Sequence, residues 1–259
     1  LLPGEIAEIR GRLLLRAGAR PEVLPRTRSL SPPYHPFGAP DPDGLVGETE
    51  VTWRIRDAVA FLAQRSAHVL VLGETGTGKE IIANGIHRQS GRGNRRLISR
   101  NAATLPEGLI DAELFGHVAN YPNAGMPARS GLVADADGST LFLDEIGELS
   151  HDLAAKLLRV LDERGEYQQL GDTRTRRSSF RLVAATNRPA ATLKHDLLAR
   201  CRLRLEVPPL RDRADDIPLI ARALLQRVAS EDAAIGERFF DGWDGQNGRA
   251  RVSIDLMKR

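Results

Sequence analysis

The chain has 259 residues, 41% hydrophobic and 27% charged, enough to bury a substantial core in one large or two modest domains. No apolar run approaches the roughly 18 residues of a membrane span, and a single cysteine, Cys201, excludes an internal disulfide. With 37 basic against 34 acidic residues the net charge is +3, a balance that neither requires nor forbids nucleic acid, and the scattered histidines offer no zinc-ligand spacing.

The first residue is Leu, and LLPGEIAEIR lacks the apolar core of a signal peptide, so the chain reads as part of a longer cytoplasmic protein. Glu5 to Leu15 reads either as a short helix or as the tail of a preceding domain. Pro21, Pro25, Pro32, Pro33, Pro36, Pro40 and Pro42 then exclude helix or central strand, which makes residues 1–44 a proline-rich linker, mobile unless it docks on the core. A helix follows over about 48–65, with Val51, Ile55, Val59 and Leu62 on one face.

The organising stretch is HVLVLGETGTGKEIIAN, residues 68–84. An apolar strand ends in glycine, a short loop carries Gly73, Glu74, Thr75, Gly76, Thr77 and Gly78, and Lys79 opens a helix. Gly73-x4-Gly78-Lys79 is the spacing of a phosphate-binding loop. Its glycines let backbone N–H groups turn inward around a polyphosphate, the helix start adds positive potential, and the lysine reaches the outer phosphates. A Ser or Thr is usual at the next place as a magnesium ligand, and Glu80 stands there instead.

After a helix over 80–90, a basic turn leads to a strand at 96–100 with Asn101 at its end. LPEGLIDAELFGH reads as helix, and Val118 to Ser139 as a long loop region. STLFLDE, 139–145, is a strand delivering Asp144 and Glu145 at its C-terminal end, about 65 residues after Lys79. Two such acids suit a nucleotide-hydrolysing site, one serving magnesium and one orienting or deprotonating the attacking water.

Ser150 is placed to cap a helix with Leu153, Leu157, Val160 and Leu161 as its core stripe. Tyr167 to Ser179 is polar and basic, with Arg174, Arg176 and Arg177, and reads as a solvated hairpin. Phe180 to Ala185 is an apolar strand ending in Thr186 and Asn187; Leu203, Leu205 and Val207 alternate with charged residues in a half-exposed strand. A helix over 217–230 and a Gly- and Asp-rich stretch follow, with a further helix expected at the end. Strands alternating with helices predict an α/β domain with a mostly parallel sheet and its ligand at the strands' C-terminal ends.

These residues carry a resemblance. GETGTGKE (73–80), ELFGH (113–117), GSTLFLDEIGEL (138–149), AKLLRVL (155–161), AATNR (184–188) and PPLRDRADDIPLI (208–220) stand in the order and spacing of the AAA+ central domain of sigma-54-dependent transcriptional activators, the bacterial enhancer-binding proteins. The chain resembles that family over roughly residues 45–230. A glutamate at the place of Glu80 is usual there. The resemblance implies an AAA+ P-loop NTPase: a parallel five-stranded sheet between helices over 45–212, then a partial helical lid over 213–259. It implies ATP and magnesium as cofactors, with Lys79 on phosphate, Asp144 serving magnesium and Glu145 activating water.

It further implies that Asn101 holds the glutamate until a neighbour signals, that Thr186 and Asn187 sense the γ-phosphate, and that Arg200 reaches the adjacent subunit's nucleotide. Partners would be further copies of the chain in a hexameric or heptameric ring and the sigma-54 RNA polymerase holoenzyme; DNA would be met only through another domain, and no membrane is implied. The lid arginine that completes the family's site lies beyond Arg259.

Two places depart from the pattern. The family's GAFTGA hexapeptide, whose Phe and Thr contact sigma-54, aligns with Asn120, Tyr121, Pro122, Asn123, Ala124 and Gly125, so Pro122 takes the aromatic place and Asn123 the threonine place. Proline fixes φ and removes a donor, which alters the loop's conformations as well as its chemistry. The family's other arginine finger falls at Lys194, six residues before Arg200. Lysine keeps the charge but loses the planar fork that suits a phosphoryl group, so hydrolysis is expected to be weakened.

Overall fold

A computed structural model describes residues 6–9, 13–16, 38–104, 107–162, 164–242, 244 and 249–250. Five strands form one parallel sheet: β1 (Val69–Leu72), β2 (Ile98–Asn101), β3 (Thr140–Asp144), β4 (Arg181–Thr186) and β5 (Leu203–Glu206), in the order β5-β1-β4-β3-β2. β1 and β4 are buried along their whole length, as continuous apolar runs covered on both faces should be.

Side chains alternate between two cores. Leu70, Leu72, Leu141, Leu143, Leu182 and Ala184 face one; Val69, Val71, Phe142, Val183 and Ala185 face the other. Helices α1 (Glu50–Ala63) and α2 (Lys79–Arg88) close the second core with Ile55, Val59, Leu62, Ile82 and Ile86. The first is closed by α3 (Glu107–Phe115), the short α4 (Leu132–Asp135) and α5 (His151–Val160). Helices α1 and α5 start on a hydroxyl. Thr49 Oγ1 accepts the Thr52 amide at 3.3 Å and Ser150 Oγ the Leu153 amide at 3.4 Å. The α5 stripe Leu153, Leu157, Val160 and Leu161 is buried as expected.

Past β4, α6 (His195–Arg200) leads into β5, and a 3-10 stretch, Leu210–Asp216, leads into α7 (Ile217–Glu231) and α8 (Ala233–Phe239). The single thiol, Cys201, is fully buried and burial pushes its pKa up to about 12, so it is a small core hydrophobe rather than a nucleophile.

Two expectations change, and one alternative left open is resolved. Among the described residues of Glu5 to Leu15 there is strand rather than helix: Ile6–Ile9 and Leu13–Arg16 pair antiparallel, from Ile6 against Arg16 to Ile9 against Leu13. The two apolar runs are separated by three residues that include Gly11, a hairpin signal that outweighs a helix too short to be stable alone. Val118 to Ser139 is not all loop, because Arg129–Ser130 pairs with Gly116–His117 and α4 follows. Gly131 allows this: a Cβ there would lie 2.3 Å from the Gly116 nitrogen. Residues 38–44 dock. Asp41 pairs with Arg56 at 2.9 Å, and the Asp43 carboxylate accepts from Arg88 and Gln89 at the end of α2. The prolines up to Pro36 and the helix expected at the C-terminus lie outside the described residues. Among the described residues no helix is long and apolar enough to cross a membrane.

Candidate nucleotide site

The site is built at the C-terminal ends of β1, β3 and β4, where an open α/β sheet presents its crevice. The Gly73 amide donates to the Thr186 carbonyl at 3.2 Å, which ties the base of the loop to β4. The chain then turns through Gly76 (φ +83°) and Gly78 (φ +95°), the left-handed region a side chain would strain. A Cβ at either would meet nothing within 4 Å, so the space beside both glycines is open. Gly78 is the N-cap of α2, and the first amides of the helix have no acceptor one turn back.

Lys79 is only 6% exposed. Its ammonium donates to the Gly73 carbonyl at 3.0 Å and the Glu74 carbonyl at 3.2 Å, and lies 3.8 Å from Glu145 Oε1. A cation held among loop carbonyls, beside open space lined by helix-start amides, fits a polyphosphate.

β3 delivers the two acids. Asp144 Oδ1 accepts the Glu145 amide at 2.9 Å, and Glu145 itself has φ +51°, a left-handed backbone uncommon for any residue but glycine. That turn swings its carboxylate back towards the loop. Oε2 accepts the Asn187 amide at 3.2 Å, and Asn187 Nδ2 donates to Thr75 Oγ1 at 3.3 Å. Lys79, Glu145, Asn187 and Thr75 thus form a continuous polar rim. Thr186 is buried, its Oγ1 accepting the Arg188 amide at 3.1 Å.

Asn101 stands opposite Asp144 in the register of β2 and β3, but its side-chain oxygen accepts the Ala103 amide at 2.8 Å and no hydrogen bond joins it to Glu145. Glu80 is exposed in the first turn of α2. Magnesium at a nucleotide site needs only one or two carboxylates besides phosphate oxygens and water. Asp144 meets that need, although among the described residues no cluster of three or more His, Cys, Asp or Glu could hold a metal by itself.

Other expected residues lie apart from this rim. Arg200, at the end of α6, is ion-paired with Asp162 and lines a cleft of about 660 Å³ with His68, Asp196 and Arg202. Lys194, the N-cap of α6, donates to the Ser150 carbonyl at 3.2 Å. Asn120 to Gly125 forms a closed tip. Asn120 has φ +65°, its Oδ1 accepts the Gly125 amide at 2.8 Å and its own amide bonds the Met126 carbonyl at 2.8 Å. Tyr121 is 37% exposed and lies against Gly171 of the neighbouring hairpin, where a Cβ would come within 2.6 Å of the ring.

A family described as the Sigma-54 interaction domain matches residues 45–208. The chain belongs to that family. Among relatives of this Sigma-54 interaction domain, the Nif-specific regulatory protein of Azotobacter vinelandii is 43% identical over 194 residues, covering 72% of this chain and 37% of that protein. The formate hydrogenlyase transcriptional activator FhlA of Escherichia coli is 43% identical over 192 residues, covering 71% and 28%. The chain therefore spans about a third of the length of these curated relatives. A crystal structure of NtrX from Brucella abortus in complex with ATP superposes with a TM-score of 0.66 at 28% identity, over 73% of this chain and 42% of that one. The five-stranded sheet and C-terminal helices are the AAA+ architecture expected.

Residue-level reading missed the support beneath the loop. Arg211 grips the Glu74 carboxylate with two bonds, 3.0 and 2.7 Å, and that hydrogen bond holds the Glu74 pKa below its usual range. Arg213, 4% exposed, donates to the Thr77 carbonyl at 2.8 Å. Both lie in PPLRDRADDIPLI, part of the resemblance, but nothing in their spacing points to the loop.

Proposed function

We propose that this Sigma-54 interaction domain binds ATP with magnesium and hydrolyses it as a ring-forming module of a transcriptional regulator. The observation that carries the reading is the Lys79 ammonium, held between two loop carbonyls and 3.8 Å from Glu145. NtrX, a structural neighbour at 28% identity, was crystallised with ATP.

In this reading the amides of Thr75 to Glu80 and Lys79 grip the phosphates. Magnesium, held by Asp144, would neutralise charge on the phosphate oxygens. Glu145 orients the attacking water and accepts its proton, with the Asn187 amide fixing the carboxylate and Asn187 and Thr186 standing beside the terminal phosphate. Asn101, one strand from Glu145, would take hold of it only after its bond to Ala103 is released. Lys194 and Arg200 serve a neighbouring copy's nucleotide, Arg200 after leaving Asp162. A point charge at Lys194 in place of a planar fork keeps turnover low.

ATP turnover by the purified chain against Glu145→Gln tests this. A rate lowered at least about a hundredfold in the variant is expected for loss of a general base; equal rates would leave a binding module only. For output, the sigma-54 holoenzyme is the partner, contacted through Asn120 to Gly125. Pro122 and Asn123 support a second reading, in which the module binds nucleotide and assembles but no longer engages sigma-54. Capture of sigma-54 in the presence of a transition-state analogue of ATP hydrolysis separates the two.

A further inference from the structure

The Arg213 side chain is a costly thing to have where it is. It is 4% exposed, burial lowers its pKa, and its Nε has no hydrogen-bond partner. A buried guanidinium with an unmet donor loses hydration that one good bond repays only in part. The bond it does make goes to the Thr77 carbonyl, in the loop that carries Lys79.

The geometry of a trans peptide gives that bond a consequence. The C=O of Thr77 and the N–H of Gly78 belong to one rigid plane and point in opposite directions. Pinning the carbonyl outward on Arg213 therefore directs the Gly78 amide inward. At Gly78, with φ +95° and no Cβ to restrain it, this plane would otherwise turn with little resistance. The far side of the loop is fixed independently: Thr77 Oγ1 donates to the Glu74 carbonyl at 2.8 Å, and Arg211 holds the Glu74 side chain.

We propose that Arg213 is a positioning residue of the phosphate loop, setting the Thr77–Gly78 peptide so that its N–H faces a bound polyphosphate. It also relays the placement of the helical tail to the nucleotide. Arg213 stands three residues before Asp216, the buried N-cap of α7, so a shift of that helix start moves the guanidinium and with it the amide. The inference deepens the nucleotide-binding reading and rests on it.

Calorimetric titration of the full chain with ATP tests it, using Arg213→Met and Arg213→Lys. Methionine fills similar space without a donor, and lysine restores one donor without the fork. Arg213→Met should weaken ATP binding about tenfold or more, the scale of a lost charge-assisted hydrogen bond, with its nucleotide-free melting temperature close to that of the unaltered chain. Arg213→Lys should lie between the two. Should Arg213→Met fail to fold, the lysine variant decides alone: affinity equal to the unaltered chain's would overturn the proposal. Unchanged ATP affinity in a folded Arg213→Met would overturn it too, and leave the nucleotide reading intact. Failure of the unaltered chain to bind ATP would bring down both.

Discussion

Arg181 is the largest fully buried side chain described, and no pattern of apolar residues announces it. It begins β4, and its guanidinium reaches back to the end of α1, donating to the Leu62 carbonyl at 2.7 Å and the Ala67 carbonyl at 3.1 Å. Those carbonyls belong to a helix C-terminus and the turn after it, where the helix dipole favours a cation; the Leu62 carbonyl also accepts the Arg65 amide at 3.0 Å. Burial, aided by Arg92, pushes the guanidinium pKa down to about 10, so it stays charged at neutral pH. Arg181→Met removes the desolvation cost but takes the guanidinium donor from the Ala67 carbonyl, while the Leu62 carbonyl keeps its backbone donors. Because leaving one buried acceptor unmet costs more than its bond contributes, the net should be a loss of about 1–3 kcal/mol. Urea unfolding of the two proteins measures it; equal midpoints would mean that water satisfies the Ala67 carbonyl unaided.

At the scale of elements, most of the sheet was legible because its central strands β1, β3 and β4 bury both faces and so carry apolar runs. Leu141 to Leu143 and Leu182 to Ala185 need no alternation to be read. The phosphate loop was legible because its chemistry needs glycines and a lysine at fixed spacing. What stayed hidden depends on contacts between residues distant in sequence: Arg213 on Thr77, Asn187 on Glu145, Tyr121 on Gly171. His68 is another such contact. Just before β1, its Nδ1 accepts the Leu182 amide of β4 at 3.0 Å, and the ring also bonds the Leu161 backbone beyond α5. Accepting at Nδ1 requires the neutral ring. Burial lowers its pKa below 6.5, against the Leu161 bond, and Arg181 and Arg92 add to the lowering. The unfolded chain then takes up the proton first, so the contribution of His68 is complete above about 6.5 and is lost as the pH falls below it. Stability measured from pH 7.5 to 5.5 should fall more steeply in the unaltered chain than in His68→Gln, which cannot charge; parallel slopes would show that His68 titrates as it does unfolded.

Over the whole α/β unit, one carboxylate ties the first long helix to the tail. Asp216 is 1% exposed and accepts four bonds: the Glu48 amide at 2.6 Å, the Thr49 amide at 2.9 Å, and the Thr49 and Thr52 hydroxyls, each at 2.6 Å. A carboxylate at the start of α7 thus holds the two residues that lead into α1 and the hydroxyl of Thr52 in its first turn. Gly47 makes room, since a Cβ there would lie 2.7 Å from that carboxylate. Burial alone would raise the Asp216 pKa, but the bonds from Thr49, Thr52 and Glu48 together outweigh it and hold the carboxyl below its usual value. The stability it contributes is therefore present above about 3.8 and lost only as the pH falls through the lower folded value. Asp216→Ala strands two amides and two hydroxyls at once, and a loss of about 3–5 kcal/mol is expected, the range for removing one partner from a buried charged network. Asp216→Asn keeps one acceptor oxygen and should lose less. The gap between the unaltered chain and Asp216→Asn should stay constant from pH 8 to 5, where His68 already changes the slope, and narrow only in stronger acid. A gap that narrowed near neutrality would mean that the carboxylate is not charged in the folded protein, and that the two helix starts are joined by a neutral contact.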